Sequence, residues 1–124
     1  MPRAVASAAL AIAFCCAAIA GPTPAPVRAE IDALLDRLQA SGCQFQRNGD
    51  WYAAADARAH LLRKLEYVER SRTLQSAEQF IDLIASSSSS SGEPYRVKCG
   101  AGAAMQSRQW LTRELSAVRT LPKQ

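Results

Sequence analysis

Ser41-Gly42-Cys43-Gln44-Phe45-Gln46-Arg47-Asn48-Gly49-Asp50 is the stretch on whose reading the fold turns. Phe45 is its only large apolar residue, and Asn48-Gly49 is a strong turn signal. Asp50 is placed to cap a following helix. Read in this way, the ten residues are a connector between two helices.

The flanks are both helical in pattern. Upstream, Ile31, Leu34, Leu35 and Leu38 recur at the spacing of one helix face over Glu30 to Ser41. Glu30 and Asp32 stand at the end where the helix dipole favours acids, and Gly42 stands where a helix stops. Downstream, Ala54, Ala57, Leu61, Leu65 and Val68 line a face from about Trp51 or Tyr52 to Glu69 or Arg70.

Beyond the connector Ser71 to Gln75, Ser76-Ala77-Glu78-Gln79 has the form of a capping box. It opens a short helix to about Ala85, with Phe80, Ile81 and Ile84 facing inward. Six serines follow, Ser86 to Ser91, and then Gly92-Glu93-Pro94. Tyr95 to Cys99 alternates large and charged residues, as a brief extended segment does, and its pairing partner is expected at 43–47 or 103–106. Ser107 is placed to cap a last helix to about Arg119 that buries Trp110, Leu111, Leu115 and Val118. The expected fold is mainly α: four short amphipathic helices with one short extended segment or minimal hairpin, and one disulfide.

The first residues set the compartment. Arg3 precedes an uncharged run from Ala4 to Ala20, and Gly21-Pro22-Thr23-Pro24-Ala25-Pro26 breaks it. A positive start, an apolar middle and a small-residue exit form a cleavable signal peptide. The run is only 17 residues and alanine-rich, short of the roughly 20 strongly apolar residues of a membrane span. Phe14 before Cys15 is too large for a lipid-attachment site. Exits before Gly21 and before Glu30 both fit, and the second leaves a polar, proline-broken segment ahead of the cut. The expected organisation is a signal peptide at 1–29, a single helical domain at 30–121 and a disordered tail at 122–124. Periplasmic residence follows, with no membrane span in the mature chain.

Composition narrows the function. The chain has 15 Lys+Arg against 11 Asp+Glu, and loss of Arg3 and Arg28 leaves 13 against 11, a net charge of +2. The basic residues are scattered, so nucleic-acid binding is not supported. Cys15 and Cys16 leave with the signal, and Cys43 and Cys99 then pair in the oxidising compartment. Two cysteines and one histidine without close spacing make a poor metal set, and no cofactor motif is present.

A resemblance is carried by Ser41-Gly42-Cys43-Gln44-Phe45-Gln46-Arg47-Asn48-Gly49, then Tyr52, Ala57, His60-Leu61 and Lys64. Its other half is Phe80-Ile81, Ala85, the serine run with Ser91-Gly92, Pro94-Tyr95, and Trp110-Leu111. Together these resemble a family of small exported proteobacterial proteins known only as a domain of unknown function. The resemblance covers essentially the whole mature chain. It implies periplasmic residence and a compact domain, and transfers no reaction and no catalytic residue.

The candidate site residues come from three places. His60 is the only histidine and lies at the edge of a polar helix stripe, four residues from both Asp56 and Lys64. Asp56 is positioned to orient the imidazole and leave the other ring nitrogen as a base. Equally, such neighbours pair routinely on helix surfaces. Arg47 offers planar, bidentate donors beside the Asn48-Gly49 turn, suited to carboxylate or phosphate. The plain alternative is a left-handed turn with Arg47 paired to a nearby acid. The serine run is a flexible linker by composition, or an ordered loop presenting hydroxyls and amides. No Gly-x-Ser-x-Gly or Ser-x-x-Lys supports a serine hydrolase.

These residues favour a non-catalytic binding or interaction module of the cell envelope, its partner an envelope protein or polymer. Arg47, Asn48, His60, Ser91, Gly92 and Tyr95 form its patch, held together by Cys43–Cys99. The alternatives are a small hydrolase using His60 with a serine of the 86–91 run, and a purely structural motif with no ligand site.

Overall fold

The computed structural model describes Ala4 and residues 20–120. The remainder of the proposed signal run and the expected tail at 122–124 lie outside the described residues. The order of elements is α1 (Ala25–Ser41), β1 (Gln44–Arg47), β2 (Asp50–Ala53), α2 (Ala54–Glu69), α3 (Ala77–Leu83), β3 (Arg96–Lys98), β4 (Met105–Gln106) and α4 (Ser107–Thr120).

The mainly α expectation is overturned by a four-stranded antiparallel sheet, ordered β2-β1-β3-β4. The Ser41–Asp50 stretch is not a connector. Asn48 (φ 50°) and Gly49 (φ 85°) are both left-handed, which closes a two-residue hairpin with Arg47 opposite Asp50. Positive φ at both central residues matches the turn twist to the strand twist, and Asn-Gly accepts it at low steric cost. Asp50 therefore begins β2 and does not cap α2. The helix starts three residues later than the earlier of the expected starts, at Ala54, with Ala53 at its cap position and no side-chain cap bond. Both expected partners of 95–99 are used, since β3 lies between β1 and β4.

Other boundaries shift for local reasons. Helix α1 begins at Ala25, with proline in its first turn, where a missing N–H costs nothing. Glu30 and Asp32 are thus interior to the helix, where Glu30 pairs with Arg119 and Asp32 with Arg28. Gly42 does end α1 in the left-handed conformation (φ 64°). Ser76 caps α3 by accepting from the Gln79 N–H, while the Gln79 side chain accepts from the Gln75 N–H. Ser107 opens α4 and is fully buried, and its hydroxyl donates to the Ala85 carbonyl at 2.7 Å.

One core joins helices and sheet. Ile31, Leu34, Leu35 and Leu38 of α1 meet Ala57, Leu61 and Leu65 of α2, Phe80 and Ile81 of α3, and Leu111 and Leu115 of α4. Phe45 and Val97, the inward residues of paired strands, are each about 1% exposed and bring the sheet onto this core. Each such side chain contributes about 1.5–3 kcal/mol by leaving water. Cys43 and Cys99 form a disulfide just beyond the Gln44–Lys98 pair. Ahead of α1, Thr23 is buried. Its backbone N–H and hydroxyl both donate to one carboxylate oxygen of Glu69, at 2.6 and 3.0 Å. No helix among the described residues is long and apolar enough to cross a membrane.

Candidate functional site

Each wall of the site is placed by one of these features. The Asn-Gly turn ends β1 so that Arg47 faces the side of α2 bearing His60. The six serines are an ordered loop rather than a linker. The Ser88 N–H donates to the Glu93 carbonyl, the Tyr95 N–H donates to the Ser86 carbonyl, and Ser87 bridges to Pro94. Gly92 (φ 75°) makes the reversal, and its N–H donates to the Ser88 carbonyl. The loop closes against the turn, with the Ser91 hydroxyl donating to Asn48 Oδ1 at 2.6 Å.

Between the turn, α2 and the loop lies an open cleft of about 480 Å³. Arg47 and Asn48 line it from the turn, His60, Arg63, Lys64 and Tyr67 from α2, and Ser88, Ser89, Ser90 and Tyr95 from the loop side. An adjoining cleft of about 250 Å³ shares Arg47, His60 and Arg63 and adds Phe45, Tyr52, Asp56 and Ala57.

A hydrogen-bond chain runs along the wall of the cleft. Arg47 Nη1 lies 2.5 Å from His60 Nδ1 and 3.1 Å from Nε2, and Nε2 lies 3.3 Å from the Tyr95 hydroxyl. A guanidinium only donates, so the nearer nitrogen, Nδ1, carries the lone pair. That assigns the proton to Nε2, which donates to the Tyr95 oxygen. Lys64 Nζ donates to the same oxygen at 3.2 Å and to the Ser87 carbonyl at 2.7 Å. With its oxygen accepting twice, Tyr95 keeps its own hydroxyl hydrogen to donate. The ring of Tyr95 is buried against Phe45, centroids 5.0 Å apart, and Arg47 stacks 5.0 Å above the ring of Tyr52.

The electrostatics follow from three cations around one imidazole. Burial, then the charges of Arg47, Lys64 and Arg63, push the His60 pKa down from 6.5 to about 4. Burial and Arg47 also lower that of Lys64. Burial raises that of Tyr95 against the pull of Arg47. At neutral pH the imidazole is uncharged and accepts from Arg47.

Of the expected site residues, Arg47, Asn48, His60 and Tyr95 line the cleft. Ser91 and Gly92 stand behind it and shape the loop. His60 is paired with Arg47 and Tyr95, not with Asp56, and among the described residues Arg47 is paired with no acid. Arg63, Lys64, Tyr67 and Ser88–Ser90 complete the lining. The helical spacing of His60, Arg63, Lys64 and Tyr67 was the signal for the first three. The disulfide does not tether the turn, because it sits at the opposite end of β1.

Residues 25–119 match the family of unknown function DUF5329, and the chain belongs to that family. It is also 47% identical over 68 residues to the uncharacterized protein YfeK of Salmonella typhimurium strain LT2. That similarity covers 54% of this chain and 55% of YfeK, so the chain spans about half the length of this curated relative. No solved structure matches the chain.

Proposed function

We propose that the protein is exported and serves as a non-catalytic binding module of the cell envelope, with the cleft beside His60 as its ligand site. The observation that carries this reading is the convergence of Arg47, His60 and Tyr95, from three separate segments, on one hydrogen-bonded wall of an open cleft. Open clefts of a few hundred Å³ with a small set of converging polar groups are the usual form of ligand sites.

The geometry favours binding over hydrolysis. Among the described residues the His60 ring is hydrogen-bonded to Arg47 and Tyr95, while the Ser91 hydroxyl is bonded to Asn48 and that of Ser88 to Ser90. A general base has to reach the proton that it takes, and works best with a pKa near the operating pH. An imidazole whose pKa is about 4 and whose lone pair faces a guanidinium is a weak base.

Export rests on the Arg3-led apolar run. For the exit we favour Ala20 over Ala29. A cut after Ala29 removes Thr23, with both of its bonds to Glu69, and the first residues of α1. A cut after Ala20 keeps them.

The test is a backbone amide NMR titration with soluble fragments of envelope polymers. Ligand binding shifts the amides of Asn48, His60 and Ser89 and leaves those of Gln109 and Thr112 on α4 in place. His60→Gln weakens the interaction without abolishing it. Turnover of a fragment, lost in His60→Gln, refutes the non-catalytic reading, and shifts confined to α4 remove the site.

A further inference from the structure

We infer that the cleft recognises a phosphate ester, with the phosphate seated between Arg47, Lys64 and the serine loop. This rests on the reading of the cleft as the ligand site and adds the chemistry of what enters it.

The charge balance of the lining points first to an anion. Arg47, Arg63 and Lys64 contribute three positive charges, and no Asp or Glu lines this cleft. Asp56 lines only the adjoining one. Arg47 from β1 and Lys64 from α2 both bear on one imidazole, a repulsive arrangement that an anion seated between them relieves. Arg28, Arg37, Arg58, Arg108 and Arg119 each have a carboxylate partner, whereas Arg47 and Arg63 have none among the described residues.

The directions of the donors point next to a tetrahedral oxyanion. A carboxylate is planar and is satisfied by one bidentate fork in its plane. Here the donors come from three elements. Arg47 arrives from β1, Lys64 and Arg63 from α2, and Ser89 and Ser90 line the cleft from the loop. The Tyr95 hydroxyl hydrogen, left free by the two bonds its oxygen accepts, adds a donor from the floor. Phosphate oxygens, spread over a tetrahedron, accept from all of these at once.

Size and rim point to an ester. A cleft of about 480 Å³ is in the range that holds a drug-sized ligand, so the phosphate fills only part of it. Tyr67 stands at its rim, 70% exposed, and gives an organic remainder a ring to lie against. A soluble sugar or polyol phosphate and a phospholipid headgroup both present this chemistry.

The experiment titrates inorganic phosphate, glycerol phosphate, acetate and a neutral oligosaccharide into the folded protein by amide NMR. Vesicle cosedimentation with phosphatidic acid in phosphatidylcholine runs in parallel. Expected are shifts at Asn48, His60 and Ser89 with phosphate and larger ones with glycerol phosphate. Binding should weaken by about tenfold or more in Arg47→Gln, since a charge-assisted bond is lost. Arg63→Gln, at an exposed position in the same cleft, weakens it too, while Arg113→Gln on α4 leaves it unchanged. Vesicle binding lost in Arg47→Gln assigns the phosphate to a headgroup, and binding of glycerol phosphate without vesicle binding assigns it to a soluble ester. Acetate binding as well as phosphate, or equal weakening by Arg113→Gln, overturns the inference. Shifts at the cleft from the neutral oligosaccharide alone overturn it and leave the binding-module reading intact. No shift from any probe overturns both.

Discussion

Removing the Cys43–Cys99 bridge should destabilise the domain heavily and leave the cleft working. The two cysteines are 56 residues apart, and closing a loop of that length costs the unfolded chain entropy worth about 4 kcal/mol in the chain-entropy account. Cys43 is also buried, so truncation adds a small packing loss. A domain of this size has roughly 5–15 kcal/mol in all. The bridge lies beyond the Gln44–Lys98 pair, and Arg47 is four residues away at the other end of β1, about 13 Å at strand rise. The β1–β3 hydrogen bonds, not the bridge, hold Arg47 beside Tyr95. The expected outcome for Cys43→Ala/Cys99→Ala is a midpoint lowered by roughly 20 °C or more in thermal unfolding followed by circular dichroism. Below that midpoint, glycerol phosphate affinity should stay within about a factor of two of the parent. A midpoint within a few degrees of the parent would refute the entropy argument. Lost binding in a variant that keeps the native amide spectrum would refute the separation of bridge and site.

Two further outcomes follow from the structure. Acid should destabilise the fold through His60, which is faced by Arg47 from β1, Asp56, Arg63 and Lys64 from α2, and Tyr95 from the loop. Its pKa is about 4 folded and 6.5 unfolded, so the unfolded chain binds the proton first and stability falls as pH drops from about 6.5 to 4. The full difference corresponds to ~3 kcal/mol, reduced to ~1–2 kcal/mol by solvent screening at this half-buried ring. Urea midpoints across that range should flatten in His60→Gln, and an unchanged slope would remove the role given to the ring. For processing, intact mass of the exported protein should correspond to Gly21–Gln124 with one disulfide. A mass beginning at Glu30 would show that the Thr23–Glu69 contact is dispensable.

The helices were legible because each buries a stripe at helical spacing, and Leu34, Leu38, Leu61, Leu65 and Leu111 all prove to be core. The sheet was not, for a physical reason visible in β1. Of Gln44, Phe45, Gln46 and Arg47 only Phe45 is buried, so one apolar residue carries the whole inward face. In β2, Trp51 is 38% exposed and Tyr52 half-buried, so their bulk suggested the start of the amphipathic helix that follows. Asn48-Gly49 signals a turn in either reading, and two left-handed residues between short extended segments specify a hairpin. The same hairpin positions the site. With the stretch up to Asp50 as a connector, nothing fixes Arg47 against α2, and Lys64 is only a helix-surface neighbour of His60. Arg47, Asn48, His60 and Tyr95 were found from residue type, but their meeting depends on strand register, which the pattern did not reveal.

The cleft is also where the domain departs from its own rules. Elsewhere, Arg28, Arg37, Arg58 and Arg108 are each set against a carboxylate, and Arg119 by itself joins Glu30 of α1 and Glu78 of α3 to α4. Such exposed pairs contribute little each, about 0–1 kcal/mol, but they keep like charges apart. At the cleft, Arg47 and Lys64 are brought together against one imidazole, and each lowers the readiness of a neighbour to be charged. A fold selected for stability alone gains by placing a carboxylate there, and Asn48, Ser89 and Ser90 occupy positions on the lining where an acid would serve. A local arrangement that opposes stability while the surrounding chain is consistent is expected at functional sites. The serine loop strengthens the point. It is ordered by its own hydrogen bonds and by Ser91 on Asn48, which holds Ser88, Ser89 and Ser90 on the lining of the cleft. Charge and preorganised donors at one place are together what oxyanion recognition requires.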